Sequence, residues 1–380
     1  MRLFIEPTEP LLFRTGRPFD AGQDTFAESL FPPTPETLQG AVRATIANYW
    51  NPQKNSAAAF DDPELTMLIG DRNGYGRFRL TGISLGRYTK DTPEMVERLF
   101  SFPAHIVHAS TGPRLLRLLP HPFSANTRSN MPEGVYHYLA PAQGSSDDMR
   151  PVDGWLTETD LYKALQGDDL TGIEIVRRGD VYQEEPRLGI GIQPGTKANQ
   201  EGFLYQMLMI RMNHALEHPY RYGFVVDVHL ASASPNDTPL NSRQVQQELH
   251  LPDTGWMTLG GEQRTAHFRV LQPATRPNER SSRERTLLYL ATPAIFDTGW
   301  KPSPRFVPLD ALLTAAINRY ESIGGWKLLQ PGSAQGENKV MYRCVPAGSV
   351  YFFDTHVKPH QPVTDHGMEI GYGITFEGEW

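Results

Sequence analysis

Glycine and proline set limits on this chain before any motif is read. They supply 33 and 32 of its 380 residues, about a sixth of the total against about an eighth in average proteins. Glycine opens turn conformations and proline interrupts helices. The sequence therefore reads as short elements joined by turns and long irregular connections, which argues against an all-helical bundle. At 380 residues it also exceeds what one compact core usually holds, pointing to two domains or one heavily inserted domain.

The formal net charge of −7 excludes a uniformly basic coat for duplex nucleic acid. It leaves room for a local basic groove, because net charge does not say where charges sit. Cys344 is the single cysteine, so no disulfide forms within the chain and no Cys-rich zinc or iron–sulfur site is available. The opening Met1-Arg2-Leu3-Phe4-Ile5 runs into Glu6-Pro7, too short an apolar stretch for a signal peptide. With no run near the ~18 apolar residues of a membrane span, the expectation is a soluble cytoplasmic protein without membrane contact.

A strand is expected over 2–6, continued at 11–13, followed by an irregular loop to Phe31-Pro32-Pro33. Next comes the clearest helix. Thr34 can cap it, Pro35 suits the first turn, Glu36 faces the positive dipole end, and Leu38, Ala41, Val42, Thr45, Ile46 and Tyr49 make one apolar face. Gly40 beside that face would admit a close neighbour. Strands follow over 203–212, where a helix is an alternative, and over 224–230. A short helix is expected at 244–249 and a strand at 267–271. Beyond a polar break at 272–285 the order repeats. A strand over 287–296 leads to a helix capped by Asp310, carrying Leu312, Leu313, Ala316, Ile317 and Tyr320 and stopped by Gly324. Strands are then expected at 326–329, 340–344, 349–353 and 372–376. Each half reads strand–helix–strand–strand–(helix or loop)–strand. The expected fold is α+β: two ferredoxin-like (RRM-type) domains, 1–275 with an insertion over about 51–200, and 284–380 with a glycine-rich end loop.

Familiar catalytic patterns are missing. No Gly-x-Ser-x-Gly elbow, phosphate-binding Gly-x4-Gly-Lys-Ser/Thr loop or His-Glu-x-x-His helix occurs. His105-x-x-His108 and His356-x-x-x-His360 with His366 have spacings a metal can use, but no cysteine or suitably spaced carboxylate completes a site. No metal, cofactor or catalytic residue is therefore assigned. What recurs is arginine or lysine beside glycine and aromatic residues: Arg14 to Phe19, Gly74 to Arg79, Arg177-Arg178-Gly179, Arg187-Leu188-Gly189 with Lys197, and Gly260-Gly261-Glu262-Gln263-Arg264. Glycines expose backbone N–H groups to phosphate, cations neutralise it, and aromatic rings stack on unpaired bases. Together, in an acidic protein, these clusters point to a groove for single-stranded RNA.

Arg14-x-Gly16-Arg17-Pro18-Phe19-x-x-Gly22 and Phe31-Pro32-Pro33-x-Pro35-x-Thr37-x-x-Gly40-Ala41-x-Arg43 open a series of blocks. It continues with Arg187-Leu188-Gly189-Ile190, Glu201-Gly202-Phe203-Leu204-Tyr205, Leu259-Gly260-Gly261-Glu262, Ile323-Gly324-Gly325-Trp326, Pro346 to Phe352, and Gly371-Tyr372-Gly373 to Trp380. In this order they resemble the RAMP subunits of type III-B (Cmr) CRISPR effector complexes that hold the 5′ tag of the guide RNA (crRNA). The resemblance weakens over 51–180.

The resemblance implies two ferredoxin-like domains and a non-catalytic role gripping the single-stranded crRNA tag. It also implies docking to a large polymerase/cyclase-type subunit and to a backbone RAMP subunit in antiviral defence. A protruding hairpin, or thumb, is expected over 187–205 with Pro194-Gly195-Thr196-Lys197 at its tip. The expected RNA-binding residues are Arg14, Arg17, Arg43, Arg187, Thr196, Lys197, Gly260, Gly261 and Arg264. The alternative is a metal-independent endoribonuclease processing precursor RNA, with His105, His108, Tyr136 and His137 as candidates for general acid–base work.

Overall fold

A computed structural model describes residues 1–14, 26–51, 59–71, 73–110, 114–124, 135–142, 148–192, 195, 199–215, 217–234, 236–272, 284–328 and 336–380. The described chain is mixed α+β, mostly strands in several antiparallel sheets with few helices. Its contacts divide it into two units. One comprises Met1–Val96, Gly179–Pro273 and Ser322–Tyr342; the other comprises Glu97–Arg178, Ala274–Glu321 and Arg343–Trp380. Residues 97–178, inside the first half in chain order, thus pack with the C-terminal strands.

The first unit is built on β1 (Arg2–Pro7), α1 (Pro35–Trp50), α2 (Pro63–Ile69), β2 (Phe78–Thr89), β3 (Tyr182–Ile192), β4 (Asn199–Met212), β5 (Tyr220–Leu230), α3 (Ser242–Glu248), β6 (Thr254–Leu259) and β7 (Arg264–Leu271). Five strands lie in the order β6-β7-β1-β5-β2, every neighbouring pair antiparallel. Since β1 and β2 are both antiparallel to β5, they run the same way with β5 between them, joined through α1. This is a split β-α-β arrangement. Leu3 and Ile5 share a sheet face with Val226 and Phe224, and all four are buried.

The helix expected after Thr34 forms as read. Thr37 N–H donates to Thr34 Oγ1, and Leu38, Ala41, Val42, Thr45 and Ile46 are buried. Tyr49 meets Phe268 edge-on at 5.8 Å, and its hydroxyl accepts the backbone N–H of Trp256 at 3.1 Å. That contact covers an outward backbone group of edge strand β6. Gly40 differs from expectation: a Cβ there would meet nothing within 4 Å among the described residues. Residues 11–13 also differ: among the described residues they form no strand, and Leu11 makes an isolated bridge to Ile210.

In the second unit, Leu312–Ala316, Val350–Phe353, Thr286–Leu290 and Thr375–Glu379 form one sheet in that order. Its two central strands are buried on both faces. Leu287, Tyr289, Val350 and Phe352 join one core with Phe100, Ile106, Leu156 and Leu161; Leu288, Leu290, Tyr351 and Phe353 join another with Phe296, Phe306 and Val307. Burial on both faces explains the unbroken apolar runs. Helix Glu158–Leu165 is capped by Thr157 Oγ1, which accepts from Asp160 N–H at 3.1 Å. At its other end Arg117 donates to the carbonyls of Ala164, Gly167 and Asp168.

The expected helix from Asp310 is not there. Leu309–Ala311 makes one 3-10 turn and Leu312–Ala316 is a strand. Over five residues the apolar spacing fits either period. Pairing with Val350–Phe353 decides the outcome by burying Leu312, Thr314 and Ala316 in alternation. The last strand also begins later than expected, at Thr375, because Gly371 and Gly373 hold positive φ just before it. Among the described residues, no helix is long and apolar enough to cross a membrane.

Candidate nucleic-acid interface

The segment expected to be a thumb lies in a long antiparallel hairpin. Strand β3 pairs with β4 from Tyr182↔Met212 to Ile192↔Asn199, and Phe26–Ala27 adds a short parallel partner at Gln206 and Met207. Side chains alternate across such a ribbon, so Gln183, Glu185 and Arg187 share one face, with Arg211, Met209 and Met207 opposite them.

The chain leaving β1 is stitched between this hairpin and the β6–β7 turn. Thr8 N–H and hydroxyl both donate to Thr265 C=O, at 3.1 and 3.0 Å. Thr265 N–H donates to Glu9 Oε2 at 2.8 Å. Leu11 and Ile210 exchange backbone hydrogen bonds at 2.8 and 2.9 Å, and Gly261 N–H donates to Leu12 C=O at 2.8 Å. Gly260, at φ +76°, makes that approach feasible, since a Cβ there would stand 2.7 Å from Leu12 C=O. The next residues, Glu262 and Gln263, hold φ of +63° and +50° without being glycine. Such strain persists only where surrounding structure imposes it.

Three guanidinium groups gather around this seam. Arg187 pairs with Glu185 at 2.8 Å, Arg211 binds the other oxygen of Glu185, and Arg264 lies 3.6 Å from Glu262. Their side chains are 36%, 51% and 21% exposed. Glu9 joins the hairpin to the turn electrostatically. Hydrogen bonds from the Thr265 backbone and side chain hold its carboxyl below the usual range, helped by Arg264 and Arg187. The Arg211 hydrogen bond, with a smaller share from Arg187, likewise lowers Glu185. The positive charges thus sit at the surface on a frame of carboxylates.

Of the expected binding residues, the structure brings Arg187, Gly260, Gly261 and Arg264 to this seam. Arg14, exposed, bridges Ser29 two residues beyond Leu12. Arg17, Thr196 and Lys197 lie outside the described residues. Arg43 is engaged elsewhere. It donates to the carbonyls of Asp71 at 2.6 Å and Gly74 at 3.3 Å and to Gln39 Oε1, with the Tyr75 and Phe60 rings 5.2 and 5.8 Å away. Burial lowers its pKa. Arg43 ties α1 to the 71–75 loop.

Sequence reasoning missed Glu9, Glu185 and Arg211. Glu185 was within reach, because two residues along a strand put it on the same face as Arg187. Glu9 and Arg211 carry no local signal; only tertiary pairing brings them here.

The nuclease and metal candidates fare differently. His105 is fully buried, both ring nitrogens lack a partner among the described residues, and burial pushes its pKa down to about 3. A sealed imidazole cannot reach RNA. His366 Nε2 lies 2.7 Å from Asp297 Oδ1, but no group of three or more His, Cys, Asp or Glu among the described residues is placed to hold a metal. Cys344 is buried, and its thiol is pushed up to about 12, so it is no ready nucleophile.

The family model described as "CRISPR-associated protein (Cas_Cmr3)" matches residues 3–380. Among solved structures, the chain is similar to one in the cryo-EM structure of the Type III-B Cmr-beta bound to cognate target RNA and AMPPnP, with 16% identity and a TM-score of 0.48. It is also similar to one in the same complex bound to cognate target RNA, with 16% identity and a TM-score of 0.47. Each alignment covers 93% of this chain and 86% of the other. No curated protein matches. The match from residue 3 to residue 380 places the chain in the Cas_Cmr3 family of CRISPR-associated proteins.

Proposed function

We propose that this chain is a non-catalytic subunit of a cytoplasmic type III-B (Cmr) RNA-guided effector that grips the single-stranded 5′ tag of the crRNA. One observation carries this reading: Arg187, Arg211 and Arg264 converge, partly exposed, where a long hairpin leaves the sheet, beside the Gly260–Gly261 turn. Ion-paired arginines keep N–H donors for phosphate, and the Glu185 and Glu262 carboxylates hold them. The hairpin supplies a thumb against which the strand bends. The order β7-β1-β5-β2 with α1 and α3 supports a ferredoxin-like first domain; a second such domain is the expectation for the other unit. Docking to the large polymerase/cyclase-type subunit and to a backbone RAMP subunit completes the role.

Filter binding of the full chain to tag-length single-stranded RNA over a salt series tests the reading. Affinity is expected to fall with a log–log slope of about −0.7 per phosphate contacted. A salt-independent signal, or none, overturns it. Incubation with precursor RNA in EDTA is expected to leave the RNA intact, and defined cleavage would restore the nuclease alternative.

A further inference from the structure

The Gly74–Arg79 cluster that stands out in the sequence takes no part in the hairpin seam. Its arginines meet the far end of β5, about 30 Å by strand rise from the end nearer the hairpin. Arg79 and His229 are direct cross-strand partners of β2 and β5, and Ala231 N–H donates to Arg77 C=O at 2.7 Å, carrying the pairing one step further. Alternation puts Arg77, Arg79 and His229 on one face of the sheet, while Phe78, Leu80, Val228 and Leu230 are buried on the other. Backbone carbonyls hold both guanidinium groups. Arg77 Nε donates to Ala231 C=O at 2.7 Å, and Arg79 Nη1 donates to Gly76 and Phe78 C=O at 2.9 and 2.7 Å. Among the described residues, Arg77 keeps both terminal nitrogens unused, and Arg79 keeps Nε and Nη2. All three side chains are partly exposed.

Carboxylates separate this cluster from the seam. Arg187, Arg211 and Arg264 each stand beside one, whereas neither Arg77 nor Arg79 pairs with one among the described residues. The neighbouring acids are engaged. Asp227, the one acid of β5, binds Arg2, and Asp71 and Asp237 accept backbone N–H groups of their own turns. The charged groups acting on His229 are cations: burial lowers its pKa, and the Met1 ammonium, Arg79 and Arg77 lower it further. In a chain of net charge −7 this positive site is left without a counter-charge. A guanidinium fork fits a carboxylate or a phosphate. Aromatic rings tell the two apart here, because Phe78 is fully buried and Tyr75 stands against Arg43, leaving an unpaired base nothing to stack on. We propose that Arg77, Arg79 and His229 form a carboxylate-binding site for an acidic segment of a partner protein. The site stands independently of the RNA grip at the seam. A docked carboxylate offsets the surrounding cations and pairs with imidazolium, so docking returns a proton to His229. Binding therefore takes up protons and tightens as pH falls through the imidazole range.

The test uses the full chain, a fluorescent oligoglutamate peptide and an uncharged glycine–serine peptide of equal length. The glutamate peptide is expected to bind and the neutral one is not. Arg77→Ala with Arg79→Ala should weaken glutamate binding about tenfold, as two partly exposed pairs are lost, and leave the affinity for tag-length RNA unchanged. Calorimetry at about pH 6.5, the ordinary imidazole value, in two buffers of different ionisation enthalpy should show proton uptake on binding. Affinity should rise from pH 8 to pH 5, and His229→Gln should abolish the uptake and flatten that profile. If thermal melting shows the double variant unfolded, the uptake and its loss in His229→Gln decide the matter by themselves. No binding of the glutamate peptide, equal binding of the two peptides, undiminished binding in the folded double variant, or binding without proton uptake overturns the proposal. A loss of RNA affinity in that variant as large as the loss for the peptide overturns it in favour of a phosphate site.

Discussion

The hairpin root of the first unit and the interior of the second handle polar groups in opposite ways. At the root, Arg187, Arg211 and Arg264 each have a carboxylate at hand and remain 21–51% exposed. In the second unit, His105 is sealed beside the Phe352 ring, 5.7 Å away, with neither nitrogen bonded among the described residues. There Arg98, 7% exposed, is committed to Glu158, and Arg117 to three backbone carbonyls. Charges of the first kind are available to a ligand. Those of the second kind are committed to holding the fold together.

That contrast is most exposed to refutation at His105. The unfolded imidazole titrates near 6.5, and the folded one is pushed down to about 3. Between those values the unfolded chain binds more protons, so stability is full at neutral pH and falls as pH drops through the window. The slope approaches about 1.4 kcal/mol per pH unit. Denaturant titrations at pH 7 and pH 4 should show this loss in the wild type and much less in His105→Leu. An identical pH dependence in the two proteins would mean that the imidazole is not sealed.

Arg43 sharpens the comparison because its sequence setting resembles that of the groove arginines, while its structure resembles the interior. Arg43→Ala should cost about 2–3 kcal/mol, as carbonyls bonded to a charged donor lose it, yet leave the RNA salt slope unchanged. Arg187→Ala with Arg264→Ala should do the reverse. Stability should shift by no more than about 1 kcal/mol, while the salt slope becomes shallower by about 1.4, two contacts of about 0.7 each. An RNA defect in the first variant, or unfolding in the second, would erase the distinction.

The smallest expected effect is Glu185. Its carboxyl is held below the ordinary value of 4.5 by Arg211 and Arg187. The stability it contributes is therefore present above that value and lost as pH falls through the lowered one. Glu185→Gln should remove this small acid step from the melting temperature measured between pH 7 and pH 3, and a step of equal size in both proteins would show the pairing to be idle.

Legibility in the sequence tracked the range of the forces involved. The helix after Thr34 was readable because cap, proline and apolar stripe all lie within sixteen residues and agree. The hairpin was expected over 187–205 only through the family resemblance, with just its second strand legible in the residues, and its extension back to Tyr182 was not read. Asp310 to Tyr320 misled, since a five-residue stretch serves either period and its sheet partner lies some 35 residues on. The motif list contained Arg187, Gly260, Gly261 and Arg264 but could not separate them from Arg43.

Residue order by itself determined the α+β class, the first helix, the absence of a cysteine cluster and the family, because these rest on local propensity, composition and ordered motifs. Only the tertiary structure decided which arginines face outward. A guanidinium's fate depends on the carbonyls and carboxylates that fold against it. For Arg264 and Arg187 the shared neighbour is Glu9, more than 170 residues earlier in the chain.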